Sequence, residues 1–126
     1  MLDNDAVLRV AAQHVREAVS GASLTPGVEL ANPPAVYFLI QPPMPQWTYD
    51  GVFQFAVLRS NGRVVPISQA AITQAIVRVL EGRGLMSRGA EVERARAEHW
   101  AEILAEALRG QMREDSVARD GSAGAV

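Results

Sequence analysis

Cysteine is absent from the 126 residues, which removes disulfides, thiol nucleophiles and thiolate metal sites together. Lysine is absent too, and all 12 basic residues are arginine. Arginine keeps its charge and pairs bidentately with carboxylates, so this set suits glutamate-rich helix faces meeting at subunit contacts. It equally matches the codon usage of a GC-rich genome. Positive charge is not in excess: the formal charge is −2, so no broad basic surface invites nucleic acid, and no sequence-specific contact with it is expected. Long apolar runs are missing as well. The longest, residues 35–40, falls far short of the ~20 residues that cross a bilayer. Asp3 and Asp5 stand where an export signal carries positive charge, so no signal peptide is expected.

What is present is an ordinary globular composition, 48% apolar and 21% charged. Area scaling gives roughly 6,500 Å² folded against roughly 20,000 Å² extended, enough burial for one soluble domain with a sizeable core. Residues 3–20 read as an amphipathic helix. Leu8, Ala11, Ala12, Val15 and Val19 recur at three- and four-residue steps, and Asp3 is the expected N-cap. A Gly/Pro-rich connector follows, in which residues 28–30 have room for a short edge strand. Residues 35–40, β-branched and aromatic between prolines, fit a covered central strand. A second strand spans 52–59, and Asn61-Gly62 predicts a two-residue type I′ hairpin into a short third strand that Pro66 limits. Ser68 predicts the N-cap of a second helix over 69–81, with Ile72, Ile76, Val79 and Leu80 inward. A third helix runs from about 90 to 109 or 112. Its stripe is Val92, Ala95, Trp100, Ile103, Ala107 and Leu108. Residues 114–126, rich in Asp, Ser, Gly and Ala, read as a disordered tail.

Catalytic chemistry finds no foothold in the pattern. The two histidines, His14 and His99, sit on different helices, and neither has the i,i+4 partner of a zinc site. Glu98, Glu102 and Glu106 form an i,i+4 row on the third helix, read as a solvated face or a docking edge for arginines. Asp50-Gly51 is first a turn signal, and no serine lies in a nucleophile elbow. The glycines of residues 82–89 follow a helix rather than a strand and lack a Gly-Lys-Ser/Thr ending, so they read as a helix cap and hinge. The most distinctive stretch is Pro42-Pro43-Met44-Pro45-Gln46-Trp47-Thr48-Tyr49, stiffened by prolines and carrying the side chains that interfaces prefer.

The order of elements carries a resemblance. A helix, a Gly/Pro connector, Pro34-Ala35-Val36-Tyr37-Phe38-Leu39-Ile40, a loop, Val52-Phe53-Gln54-Phe55-Ala56-Val57-Leu58 and a helix over 68–80 resemble the small tail-terminator and tail-completion proteins of long-tailed bacteriophages. In that family a helix precedes a proline-led strand, an antiparallel strand and a helix packed across the sheet. The resemblance covers residues 3–82 and is one of pattern. It implies a ring-forming adaptor between tail tube and head, a virion component without catalytic residues. The Asn61-Gly62 hairpin and the long third helix depart from the family pattern, and no functional residue transfers.

The expectation is therefore an α+β domain over residues 1–113. It has a small antiparallel sheet of about three strands, packed on one face by the first two helices, with a long C-terminal helix and a free tail. The expected function is non-enzymatic self-association into a homo-oligomer, with other protein partners, virion proteins among them. Its contacts would come from Met44, Trp47, Tyr49, Trp100, Ile103 and Leu104, and no catalytic, cofactor-binding or metal-binding residue is assigned. The alternative is a small acidic dimeric chaperone or binding module of a bacterial cytoplasm.

Overall fold

The computed structural model describes residues 1–18, 21–41, 53–85 and 89–124. The chain is α+β, and among the described residues five antiparallel strands and four helices run in the order α1 (Asn4–Ala18), β1 (Ser23–Leu24), β2 (Val28–Ala31), β3 (Pro34–Gln41), β4 (Gln54–Leu58), β5 (Val64–Pro66), α2 (Gln69–Gly82), α3 (Gly89–Glu98) and α4 (Trp100–Gly124). Met1–Ile67 and Ser68–Val126 form two compact units. The sheet closes its hydrogen bonds inside the first, and α2, α3 and α4 pack among themselves in the second.

In the sheet unit, β3 pairs β4 in the register Tyr37↔Ala56 and Phe38↔Phe55, and β4 pairs β5 through Ala56↔Val65. Two short strands bring the count from three to five, both on the other edge of β3. β2 covers its start through Val28↔Tyr37 to Ala31↔Pro34, and β1 covers its end through Leu24↔Ile40. Pro26, between them, has no N–H to give, and Thr25 bridges the gap. Its backbone N–H donates to Leu39 O at 3.0 Å, and its Oγ1 accepts from Leu39 N–H at 3.1 Å. The edge of β3 is thereby satisfied across a proline that a continuous strand could not contain.

α1 covers one face of this sheet. Asp3 caps it, accepting from the Ala6 N–H at 2.8 Å. The buried line is Val7, Ala11 and Val15, packed with Val36, Phe38, Ile40, Phe55 and Val57. Leu8, expected in that line, is exposed. Both choices are apolar, and the face is fixed by the sheet beneath rather than by the pattern. Phe38 stacks on Phe55 at 5.6 Å between centroids, and His14 meets the Phe55 ring in an edge-on contact at 4.5 Å. On the opposite face Leu30, Ala35, Ala56, Leu58, Val65 and Ile67 are buried. Tyr37 donates its hydroxyl to Gln54 Oε1 there at 2.6 Å.

The β4–β5 connection is not the two-residue turn expected. Val57↔Val64 leaves a longer loop, closed by Gly62 N–H to Leu58 O at 2.8 Å and Leu58 N–H to Arg63 O at 2.9 Å. A type I′ turn needs positive φ at both central residues. Only Gly62 has it, at 73°, while Asn61 instead accepts from the Arg63 N–H through Oδ1 at 2.9 Å. Arg59 N–H donates to Pro34 O at 3.0 Å, which carries the β3–β4 pairing one residue further.

In the helical unit Ser68 caps α2, accepting from the Ala71 N–H. The helix ends in a Schellman motif, with Leu85 N–H on Leu80 O and Gly84 N–H on Glu81 O. The buried line of α2 is Ala71, Ile72, Ala75, Val79 and Leu80, with Ile76 only partly covered. The expected third helix is two helices, separated at His99, across which His99 N–H to Ala95 O and Ile103 N–H to His99 O still run. α4 then continues to Gly124, through the residues read as a free tail. Arg113 spans the weak point at Gly110 by donating to Glu106, while Arg109 with Glu106 and Gln111 with Asp115 tie the turns on either side of it.

Candidate functional site

Of the six side chains expected to make contacts, Met44, Trp47 and Tyr49 lie outside the described residues. Ile103 and Leu104 are fully buried within the chain, together with Leu108. They occupy core positions of α4, where leucine and isoleucine at i, i+1 and i+5 face the packed side. Trp100 is different. Opening α4, it is half-buried and lines an open depression of about 370 Å³ with Glu93, Arg96 and Ala97 of α3. These four positions follow i, i+3, i+4, i+7, one continuous helical face carried across the His99 junction. The Arg96 guanidinium carbon stands 5.6 Å from the centre of the Trp100 ring, within cation–π range. Tryptophan and arginine are both among the residue types enriched where protein–protein contacts carry most of their energy.

The glutamate row is only partly a solvated face. Glu102 accepts from Arg83 of α2 at 2.6 and 3.1 Å, and His99 Nδ1 lies 3.6 Å from the same oxygen. Glu106 gathers three arginines. Oε1 accepts from Arg78 of α2 at 3.3 Å and Arg113 at 3.2 Å, and Oε2 from Arg109 at 2.8 and 3.2 Å. Burial pushes the Glu106 carboxyl up, but the bonds and charges of Arg109 and Arg113 outweigh it and hold the group below the ordinary glutamate value. Glu102 pairs across to α2, Glu106 pairs within α4 with one further bond to α2, and Glu98 is exposed.

One residue that sequence reasoning missed is Arg59. Its Nε and Nη2 clasp Glu29 at 2.9 Å each, its Nη2 also reaches Asn4 Oδ1 at 2.7 Å, and its Nη1 donates to Leu2 O at 2.8 Å. The Leu2 N–H returns a bond to Arg59 O. The Glu29 hydrogen bond, against some desolvation, holds the guanidinium proton more firmly than usual. A cleft of about 260 Å³ opens beside it, walled by Val7, Leu8 and Phe38. Its polar side chains, Asn4, Glu29 and Arg59, are bonded to one another, so the arrangement straps the N-terminal segment to the sheet. Tyr37, on the far face, has its hydroxyl held protonated to higher pH by burial.

Among the described residues no three His, Asp or Glu side chains converge as metal ligands. No helix among the described residues is long and apolar enough to cross a membrane. Compared with protein-family models, with curated proteins and with solved structures, the chain matches none.

Proposed function

We propose that this chain is a non-enzymatic assembly adaptor that associates with copies of itself, a ring component of the tail-terminator type found in long-tailed bacteriophages. The observation that carries the reading is the α3–α4 face, where Trp100 lies half-open beneath Arg96 above a 370 Å³ depression. A tryptophan in that setting is an anchor for a protein partner, because covering it removes apolar area from water and desolvates the cation–π contact. The order of elements supports the viral reading. α1 precedes a strand that opens on Pro34, an antiparallel strand follows, and then α2. Partners are further copies of the chain and neighbouring virion proteins.

Sedimentation velocity on the wild type and on Trp100→Ala tests this. An anchor residue contributes about 2 kcal/mol or more, so the variant should weaken self-association by roughly 30-fold. The circular-dichroism melt should fall only modestly, since the side chain is half-buried at the surface rather than in the core. Unaltered association in the variant, or a large fall in melting temperature, would remove this surface from the contact.

A further inference from the structure

A ring is built from head-to-tail contacts, so each copy must carry two different patches that fit one another. The face shared by α3 and α4 supplies one. Trp100 lies half-buried in a depression of about 370 Å³, with the Arg96 guanidinium 5.6 Å from its ring centre and Glu93 and Ala97 beside it. These four side chains carry one charge of each sign, so the patch has no net charge. Its apolar surface is the indole ring with Ala97, and its donors are the Arg96 guanidinium and the Trp100 indole N–H.

The complement stands in the sequence between β3 and β4. Residues 42–49, outside the described residues, read Pro42-Pro43-Met44-Pro45-Gln46-Trp47-Thr48-Tyr49 and hold no charged side chain. Prolines at 42, 43 and 45 restrict the backbone, so less entropy is lost when a partner orders the stretch. They also have no N–H, which leaves carbonyl acceptors and apolar rings for recognition. Aromatic surfaces that also offer a donor recognise this chemistry, and positions 42 and 45 have the Pro-x-x-Pro spacing that such surfaces take. We propose that residues 42–45 of one copy dock in the Trp100 depression of the next, with proline rings against the indole and carbonyls accepting from Arg96. This pairing rests on the self-association reading and names its two surfaces. A contact within one chain would occupy both patches and leave no link between copies.

Sedimentation velocity on two complementary variants of the full chain, alone and mixed, tests the pairing. Trp100→Ala keeps the proline stretch and loses the depression, whereas Pro42→Ser/Pro43→Ser/Pro45→Ser keeps the depression and loses the stretch. Alone, the first should associate roughly 30-fold more weakly than the wild type, and the second about tenfold or more. Mixed in equal amounts where the wild type assembles, they should form a 1:1 heterodimer that grows no further, because only one junction is intact. A synthetic peptide of residues 41–50 keeps the test available if a variant misfolds. It should dissociate wild-type assemblies and bind Trp100→Ala roughly 30-fold more weakly than the wild type. A wild type that stays monomeric at every concentration removes the self-association reading and this pairing with it. A wild type that assembles while the mixture gives no heterodimer, or a peptide that binds wild type and Trp100→Ala equally, overturns the pairing alone. Peptide bound by the triple-proline variant without a heterodimer in the mixture would place the stretch on its own chain, and overturns the contact between copies.

Discussion

The same residue type does opposite work in the two compact units. In Met1–Ile67, Arg59 is 13% exposed and makes four bonds to groups 30, 55 and 57 residues away. In Ser68–Val126, Arg78 and Arg83 stand about half in water and make exposed pairs with Glu106 and Glu102. The sheet unit is held by apolar packing under α1 and by backbone ladders, with Arg59 clasping the N-terminal segment and Glu29 of β2. Charge decorates the helical unit's α2–α4 pairing instead. Exposed ion pairs contribute little to stability, so Arg78 and Arg83 are held far more loosely than Arg59.

The largest expected effect breaks the sheet unit at its centre. Phe55 is almost fully buried between Phe38 and His14, and Phe55→Ala should cost about 3–5 kcal/mol by cavity formation. Chemical denaturation measures it; a loss under 1 kcal/mol would show that the core under α1 is loosely packed. Next comes Gly27. A Cβ there would stand 2.5 Å from Val36 Cγ1 and 3.0 Å from Phe38 Cε1, so Gly27→Ala should cost roughly 1–3 kcal/mol through overpacking. An unchanged denaturation midpoint would mean the connector yields freely.

The smallest effect belongs to the helical unit and depends on pH. The Glu106 carboxyl is depressed in the folded chain, so its stabilising contribution is present above the unfolded value. It is lost as pH falls through the folded value. Glu106→Gln should therefore lower stability modestly at neutral pH and leave it unaffected at pH below that range. Thermal melts across the acid limb compare the two; parallel curves for wild type and variant would deny the arginine cluster any part in acid stability.

Local signals were readable in the sequence because their physics is local. Asp3 and Ser68 cap helices where a short acceptor side chain precedes an apolar period. The run from Ala35 to Ile40 is strand because it is β-branched, aromatic and proline-bounded. What escaped was set at a distance. The partners of Arg59 lie too far along the chain for any window to pair them. The stripe of α1 shifted from Leu8 to Val7 because both are apolar and only the sheet decides which is covered. Of the proposed contact surface, Trp100 was legible as a large aromatic on a helix, but its neighbour Arg96 was not singled out, although the i, i+4 spacing that brings them together was there to read. Ile103 and Leu104 carried no sign that distinguishes an exposed stripe from a buried one, and the structure buries both.

Native mass spectrometry of the wild-type chain across a range of concentrations tests the central claim most directly. Self-association as a ring adaptor predicts one dominant closed species of several identical copies, persisting on dilution. A monomer at every concentration would contradict it, and a stable dimer would favour a small binding module instead.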